Sequence, residues 1–304
     1  MKAAAKLLAW FDRNGRTLPW RKTRDPYRIL VSEVMLQQTQ VSRALVFYPQ
    51  WLERFPNWKA LAKADNASVI RAWSGLGYNR RALMLRDIAL QIAVNPRLPP
   101  TNYHLPTTES EWRTLKGIGP YTAAALASFS LHERVMPVDT NVRRVLGRFL
   151  LGIPFPSPKQ DERIRKAADA FLPRRGRFYD VPQALFDLAT MVCKKTPDCT
   201  SCPMRTVCPA AAKFLSGKVR IPKRSVAKAA ESRHRNKPHP DRIYRGRILK
   251  LAGRSGGFLL ARLGETIDPG YDDALDRAWL AAMVERLVAD RLLARTTKTV
   301  SLPR

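Results

Sequence analysis

The chain has 304 residues, 45% of them hydrophobic, which is enough for a packed core and excludes global disorder. Its 54 Lys and Arg face 25 Asp and Glu, a formal charge of +29 that points to a polyanion: nucleic acid first, an anionic membrane surface second. No apolar run approaches the length of a membrane span, so a transmembrane helix is excluded.

The chain opens Met-Lys-Ala-Ala-Ala-Lys-Leu-Leu-Ala-Trp. This start lacks the long apolar stretch of a signal peptide and reads as an amphipathic first helix. From there to about residue 215, Ala, Leu and Val recur at helical spacing. Examples are Leu30, Val34, Val41 and Leu45, then Leu83, Ile88 and Ile92, then Leu126 and Phe129. Short connections marked by Pro or Gly separate the runs, and no sustained alternation demands a sheet, so this part is all-α. No internal repeat is visible.

Glu33 lies in Leu30-Val-Ser-Glu-Val-Met-Leu-Gln-Gln-Thr-Gln-Val41, at the edge of an apolar helical stripe defined by Ile29 and Leu36. A partly desolvated carboxyl there has a raised pKa and suits a general acid. A surface Glu on an amphipathic helix is the plainer reading of that residue taken alone. Further on, Leu115-Lys-Gly-Ile-Gly-Pro-Tyr-Thr-Ala-Ala-Ala reads as a helix end, a tight turn at Gly117 and Gly119, and a new helix from Pro120. Backbone N–H groups at such a start can bind phosphate, and Lys116 adds charge. An ordinary helix–turn–helix corner has the same local pattern. Asp139, in Met136-Pro-Val-Asp-Thr-Asn-Val-Arg-Arg, sits where a helix N-cap is expected, a role compatible with catalysis. One raised carboxyl beside one that stays ionised is the pattern for cleaving a glycosidic bond through an oxocarbenium-like state.

All four cysteines fall between Cys193 and Cys208, as C-x5-C-x2-C-x5-C through Cys199 and Cys202. Such a knot implies a metal site rather than disulfides. Only one C-x2-C knuckle is present and no His is near, so a [4Fe–4S] cluster fits better than zinc. Lys194, Lys195, Arg205 and Lys213 crowd the loop, which suits contact with DNA phosphate. A polar basic stretch follows, with Lys218, Arg220, Lys223, Arg224, Lys228, Arg233, Arg235 and Lys237 among Pro222, Pro238 and Pro240. Its composition is that of a flexible linker. Order returns near Asp241. Ile243, Ile248, Leu249 and Leu251 recur as in a helix, followed by Leu275, Trp279, Met283, Leu287 and Leu292. The tail from Ala294 to Leu302 alternates weakly, as a small hairpin would. Helices followed by a hairpin suggest a winged-helix-like module. Basic residues on its first helix, Arg242, Arg245, Arg247 and Lys250, suit sequence-independent phosphate contact. The resulting division is 1–215, a 216–240 linker and 241–304.

Five motifs occur in one order: Val31-Ser-Glu-Val-Met-Leu-Gln-Gln-Thr-Gln-Val41, Trp73-Ser-Gly-Leu-Gly-Tyr78, Leu115-Lys-Gly-Ile-Gly-Pro-Tyr-Thr-Ala123, Val138-Asp-Thr-Asn-Val142 and the four cysteines. Over about residues 5 to 215 they resemble the helix-hairpin-helix DNA glycosylases of the endonuclease III superfamily, and within it the adenine DNA glycosylases of MutY type. The resemblance implies an all-α, two-lobed helix-hairpin-helix fold with an iron–sulfur cluster loop at 193–208. It implies removal of adenine mispaired with guanine or 8-oxoguanine in double-stranded DNA. The expected enzyme is monomeric, cytoplasmic and nucleoid-associated, with no membrane partner. By the resemblance, Glu33 matches the acid that protonates adenine N7 and Asp139 the carboxylate that stabilises the oxocarbenium ion. Asn141 and Tyr121 match residues that hold the sugar and the catalytic groups. Trp20 and Arg21, in Thr17-Leu-Pro-Trp-Arg21, match the adenine-pocket wall, to which Leu36 and the acidic Asp187 also belong. Gln37, Gln38 and Thr39 match a segment at the lesion, and Tyr78 an intercalating wedge. Lys116, Gly117, Ile118 and Gly119 match the DNA-gripping hairpin.

Several positions depart from the family pattern. The first cysteine spacing is one residue short, Asn79 follows Tyr78 where a second Tyr is common, and Thr140 replaces a small residue. The C-terminal region is unlike the family's usual Nudix-like domain. A thymine or uracil mismatch glycosylase of the same fold is the alternative, sharing Tyr121 and Asp139. Gln37-Gln38-Thr39 and the Glu33 helix favour adenine. Tyr121 stands where lyase-active relatives carry Lys, so no amine is available there for a Schiff base.

Overall fold

The computed structural model describes residues 2–93, 105–222, 232–235 and 237–304. Lys223, Arg224 and Lys228 of the basic stretch lie outside the described residues. In chain order the helices are α1 (Lys2–Asn14), α2 (Pro26–Leu36), α3 (Val41–Arg54), α4 (Trp58–Lys63), α5 (Asn66–Trp73), α6 (Arg80–Ala93), α7 (Glu109–Thr114), α8 (Pro120–Ser130), α9 (Thr140–Leu151), α10 (Asp161–Phe171), α11 (Asp180–Met191) and α12 (Pro209–Leu215). Then come α13 (Asp241–Ala252), β1 (Phe258–Leu259), α14 (Leu263–Ile267), α15 (Asp273–Ala289), β2 (Ala294–Arg295) and β3 (Thr299–Ser301). Up to residue 222 the described chain is helical without a strand, as composition implied. No described helix is long and apolar enough to cross a membrane.

Two compact units form, and each takes two stretches of chain. One gathers the described residues of 1–33 and 105–223, the other those of 34–104 and 224–304. Composition divides the chain by contiguity, whereas packing closes each unit from segments far apart in sequence.

The core of the first unit is made by α1, α9, α10 and α11. Val142, Val145 and Leu146 of α9 meet Leu7 of α1, Ile164 and Ala168 of α10, and Val181, Leu185 and Leu188 of α11. These are the i, i+3, i+4 positions of amphipathic helices. Helix α9 also passes so close to the 152–157 loop that a Cβ on Gly147 would sit 2.6 Å from Pro156 Cβ. Helix α8 is different: Thr122 to Ser128 are all buried, so its small side chains let it sit inside the unit. The turn before it uses Gly117 at φ +102°, a conformation that only glycine adopts without strain.

In the second unit, α3 and α5 meet through an edge-on pair of Trp51 and Trp73, with centroids 5.2 Å apart. Leu45, expected on an apolar stripe, is 39% exposed on α3. The C-terminal residues fold as helix, strand, two helices and hairpin, with an antiparallel sheet in the order β1-β3-β2. The hairpin matches the alternation of the tail. Strand β1 and helix α14 carry no periodic signal, because each is at most five residues long. This part meets the helices of its own unit through polar contacts. Arg80 pairs with Asp290 at 3.3 Å, Arg291 pairs with Asp87, and Arg71 Nε donates to Gly253 O at 3.4 Å.

Three residues sit differently from what composition suggests. Lys237, placed in the linker, is only 8% exposed, with its ammonium 2.6 Å from Asp268 and 2.5 Å from Asp276. Asp276 is wholly buried and also receives His234 Nε2 at 3.0 Å and Arg235 at 3.2 Å, while His234 stacks on Trp279. The acids come from beyond residue 265, so a local reading cannot see them. Arg247 donates to Ile267 O and lies over the Tyr244 ring, so it braces the module instead of standing free for phosphate. Leu275 is 53% exposed on α15. Breaking a buried ion pair from one side leaves an unmatched charge. Asp276→Ala is therefore expected to destabilise the second unit by about 3–5 kcal/mol, read from urea denaturation against the parent chain.

Candidate active site

Three elements of the first unit bring two carboxyls and a phenol together. Helix α2 presents Glu33, the first turn of α8 presents Tyr121, and Asp139 caps α9. The Tyr121 hydroxyl donates a hydrogen bond to the Glu33 carboxyl. Burial pushes the Glu33 carboxyl up to about 7; the Tyr121 hydrogen bond opposes the shift and the nearby charge of Asp139 adds to it. Burial, with the charges of Glu33 and Asp139, drives the Tyr121 hydroxyl well above its ordinary range, so it remains a neutral donor.

Asp139 is held in another way. Its Oδ1 accepts the backbone N–H groups of Asn141 (2.9 Å) and Val142 (2.7 Å), and its Oδ2 accepts Asn141 Nδ2 at 2.8 Å. Both oxygens are thus engaged at the positive end of α9. The Asn141 amide is held in turn: its Oδ1 accepts Arg144 Nη2 at 3.2 Å, and Arg144 Nε donates to Cys193 O at 2.8 Å. Sequence reasoning missed Arg144, although its place three residues after Asn141 on a helix was a readable signal.

Trp20 and Arg21 line a cavity of about 460 Å³ in the same unit, with Phe129, Tyr179, Arg16 and Gln183 among its other walls. Trp20 is buried and offers a ring as a wall. Arg21 is fixed by five hydrogen bonds to three residues: Nε to Gln183 Oε1 (2.8 Å), Nη2 to Gln183 O (3.4 Å), Nη1 to Arg16 O (2.9 Å), and Nη1 and Nη2 to Asp187 (2.8 and 2.9 Å). Asp187 is wholly buried and also receives Arg16 N (2.8 Å) and Nε (2.7 Å). Burial alone would raise its pKa, but Arg21 and Arg16 outweigh that and hold its carboxyl below the usual range. Asp187 is therefore absent from the cavity wall and acts behind it, by aiming Arg21. From α11 it is Asp180 and Gln183 that line the cavity, Gln183 one helical turn before Asp187.

The DNA-contact candidates fall in two places. Lys116, Gly117 and Gly119 are exposed on the hairpin between α7 and α8, while Ile118 is buried and anchors it. In the second unit, Gln37 and Gln38 are exposed, Gln38 at φ +56°, and Tyr78 is 65% exposed at φ +49°; Leu36, expected in the adenine pocket, ends α2 half-buried in this unit and is not among the residues that line the Trp20–Arg21 cavity. A residue that sequence reasoning missed ties this region together. The nearly buried Arg81 donates to Val34 O (2.8 Å), Gln37 O (2.5 Å), Thr39 Oγ1 (3.2 Å) and Gly77 O (3.0 Å). Its guanidinium lies 5.6 Å from the centre of the Tyr78 ring. One guanidinium thus fixes the Gln37–Thr39 turn and the Gly75–Tyr78 turn to each other.

Cys193, Cys199, Cys202 and Cys208 line one enclosed cavity. Among the described residues no three His, Cys, Asp or Glu side chains are placed to share a single metal ion. Burial raises the thiols of Cys199 and Cys208 and pushes Cys202 up to about 11. Four sulfurs lining one cavity, with no His among its walls, are the donor set of an iron–sulfur centre.

The Tyr121 hydrogen bond is the contact that lowers the Glu33 pKa. Tyr121→Phe should therefore move its titration upward from about 7, followed by carboxyl-carbon NMR of labelled glutamate. An unchanged or lower midpoint would contradict this coupling.

Comparison with known proteins places these features. Residues 31–170 match the family described as HhH-GPD superfamily base excision DNA repair protein. The chain is 37% identical over 298 residues to the adenine DNA glycosylase of Mycobacterium tuberculosis, spanning 95% of this chain and 90% of that protein. It is 35% identical to the Mycolicibacterium smegmatis adenine DNA glycosylase, spanning 96% and 92%. Identity to the human adenine DNA glycosylase is 34%, spanning 66% of this chain and 38% of that protein. Among solved structures, a thermostable thymine-DNA glycosylase superposes with a TM-score of 0.62 at 24% identity, over 69% of this chain and 95% of that one. A trapped endonuclease III–DNA covalent intermediate superposes with a TM-score of 0.58 at 17% identity, over 70% and 96%. These likenesses show the fold, and the bacterial relatives show the activity. The chain belongs to the adenine DNA glycosylases of the HhH-GPD superfamily of base excision repair enzymes.

Proposed function

We propose that this glycosylase removes adenine mispaired with guanine or 8-oxoguanine in duplex DNA and stops at the abasic site. The carrying observation is the contrast between its two carboxyls: Glu33 titrates near neutrality, and Asp139 is locked by three N–H donors. Adenine leaves poorly until it is protonated, so Glu33 in its acid form supplies the proton, at N7 by the family resemblance. As the glycosidic bond opens, positive charge grows on the sugar, and the fixed Asp139 carboxylate faces that charge. Water then takes the sugar carbon, and the products are free adenine and an abasic site. Tyr121 orients Glu33, and Asn141 orients Asp139. A flipped adenine stacks on Trp20, with the Gln183 amide able to bond its edge, while Arg21, its N–H groups spent on Gln183, Arg16 and Asp187, stiffens that wall. Tyr78 fills the vacated step, and the hairpin from Lys116 to Gly119 grips phosphate.

The four cysteines would hold a [4Fe–4S] cluster, which supplies a rigid fold for the loop that carries the exposed Lys194 and Lys195 toward phosphate, not chemistry at the base. Residues 241–304 act as a winged-helix-like electrostatic anchor through exposed groups such as Arg242 and Lys250. The enzyme works as a monomer in the cytoplasm, on the nucleoid.

The deciding experiment is single-turnover base release from duplexes with adenine or thymine opposite guanine or 8-oxoguanine. Adenine alone should be released, and Glu33→Gln should abolish release while duplex binding persists. The rate should be flat below about pH 7, where Glu33 holds its proton, and fall above it by about tenfold per pH unit. Thymine release, or a rate that climbs with pH, would overturn the reading. Borohydride should trap little covalent adduct, and the abasic product should break only in alkali. Efficient trapping at neutral pH would mean that a lysine serves as nucleophile.

A further inference from the structure

Helix α9 carries one more arginine, which the base-release chemistry does not use. Arg148, in its last turn, is 2% exposed. Its guanidinium lies against the ring of Phe214 at 4.8 Å and that of Phe155 at 5.7 Å. Nε donates to Pro154 O at 2.8 Å, Nη1 to Lys194 O at 2.5 Å, and Nη2 to Lys195 O at 2.9 Å. Nη1 also stands 3.3 Å from Cys193 Sγ. Among the described residues no carboxylate forms an ion pair with it.

A buried cation without a counter-charge is costly. The chargeable group that Arg148 touches is the Cys193 sulfur, and the cavity of the four cysteines, which Arg148 lines together with Asp198, brings the other three sulfurs to the same space. Four thiolates outweigh the positive charge of an iron–sulfur core, so the ligated cluster as a whole would supply the counter-charge. The carbonyls matter as well. Only five residues separate Cys193 from Cys199, and two carbonyls of that short loop are turned onto the guanidinium. The side chains of Lys194 and Lys195 are left exposed.

We propose that Arg148 is a positioning residue for the cluster: its guanidinium seats Cys193, closes the short 194–198 loop, and sets the reduction potential of the centre. This rests on the cluster reading above. A fixed positive charge and an N–H donor beside a ligand sulfur favour the more reduced, more negative state, and so raise the potential. Lysine cannot substitute fully, since it brings a point charge but not the planar fork that spans two carbonyls and a sulfur.

The test uses the purified full-length holoprotein and the variants Arg148→Met and Arg148→Lys. Iron and sulfide content, absorption near 400 nm, the rate of iron release to a chelator and the cluster midpoint potential are measured. Arg148→Met should release iron about 10- to 100-fold faster, with the midpoint of the remaining clusters shifted to lower potential. Arg148→Lys should keep a potential nearer the parent's yet still release iron faster, and it serves alone if the Met variant does not fold. Parent-like release in both variants overturns the proposal. So does faster release at an unchanged potential in Arg148→Met, because lost packing alone would produce that. A parent protein that contains no iron sinks the cluster reading instead.

Discussion

The Asp139 cap is the interaction on which the first unit depends. Its carboxylate closes the open N–H groups of α9, and this fixes where the helix begins and which way it runs. Every polar residue of consequence on α9 is then placed by helical geometry. Asn141 returns to the cap, Arg144 reaches the Cys193 carbonyl, and Arg148 reaches the Cys193 sulfur and the carbonyls after it. The apolar face of the same helix, through Val142, Val145 and Leu146, packs in the core. A single helix thus joins the Asp139 carboxylate to the loop of the four cysteines, with no loop in between to absorb strain.

The two carboxyls differ because their surroundings do. Glu33 comes from the side of a helix into partly apolar surroundings, with one hydroxyl donor for company. Asp139 sits at a helix start, where backbone donors converge. Desolvation dominates at the first, and hydrogen bonds hold the second in place. Arg21 follows the same logic. It is held by Gln183 and by the buried Asp187, so its position owes nothing to what enters the cavity.

In the second unit two buried cations organise chain that would otherwise wander. Arg81 gathers carbonyls from the turns that carry Gln37, Gln38 and Tyr78, and so holds the left-handed conformations of Gln38 and Tyr78 in place. Lys237 pins the approach to α13 onto Asp268 and Asp276. Both are interior uses of charge in a chain whose surplus of +29 would suggest surface duty for each.

The sequence by itself determined what depends on local pattern. Helical periodicity determined the all-α character up to about residue 215, Gly117 and Pro120 determined the hairpin, and the position of Asp139 before a helical run determined its cap. The cysteine spacing singled out one loop, and the ordered motifs identified the family. Tertiary structure decided what depends on distant partners. Asp187 matches an acidic pocket residue by the family resemblance, yet two arginines from the chain's start bury it behind the wall while Gln183 faces the cavity. Lys237 looked like linker because its neighbours in sequence are basic, yet its neighbours in space are acids. Arg81 and Arg148 gave no signal, since in a chain with so many arginines only the fold distinguishes the few whose hydrogen-bond donors are spent on buried carbonyls from the many that face solvent.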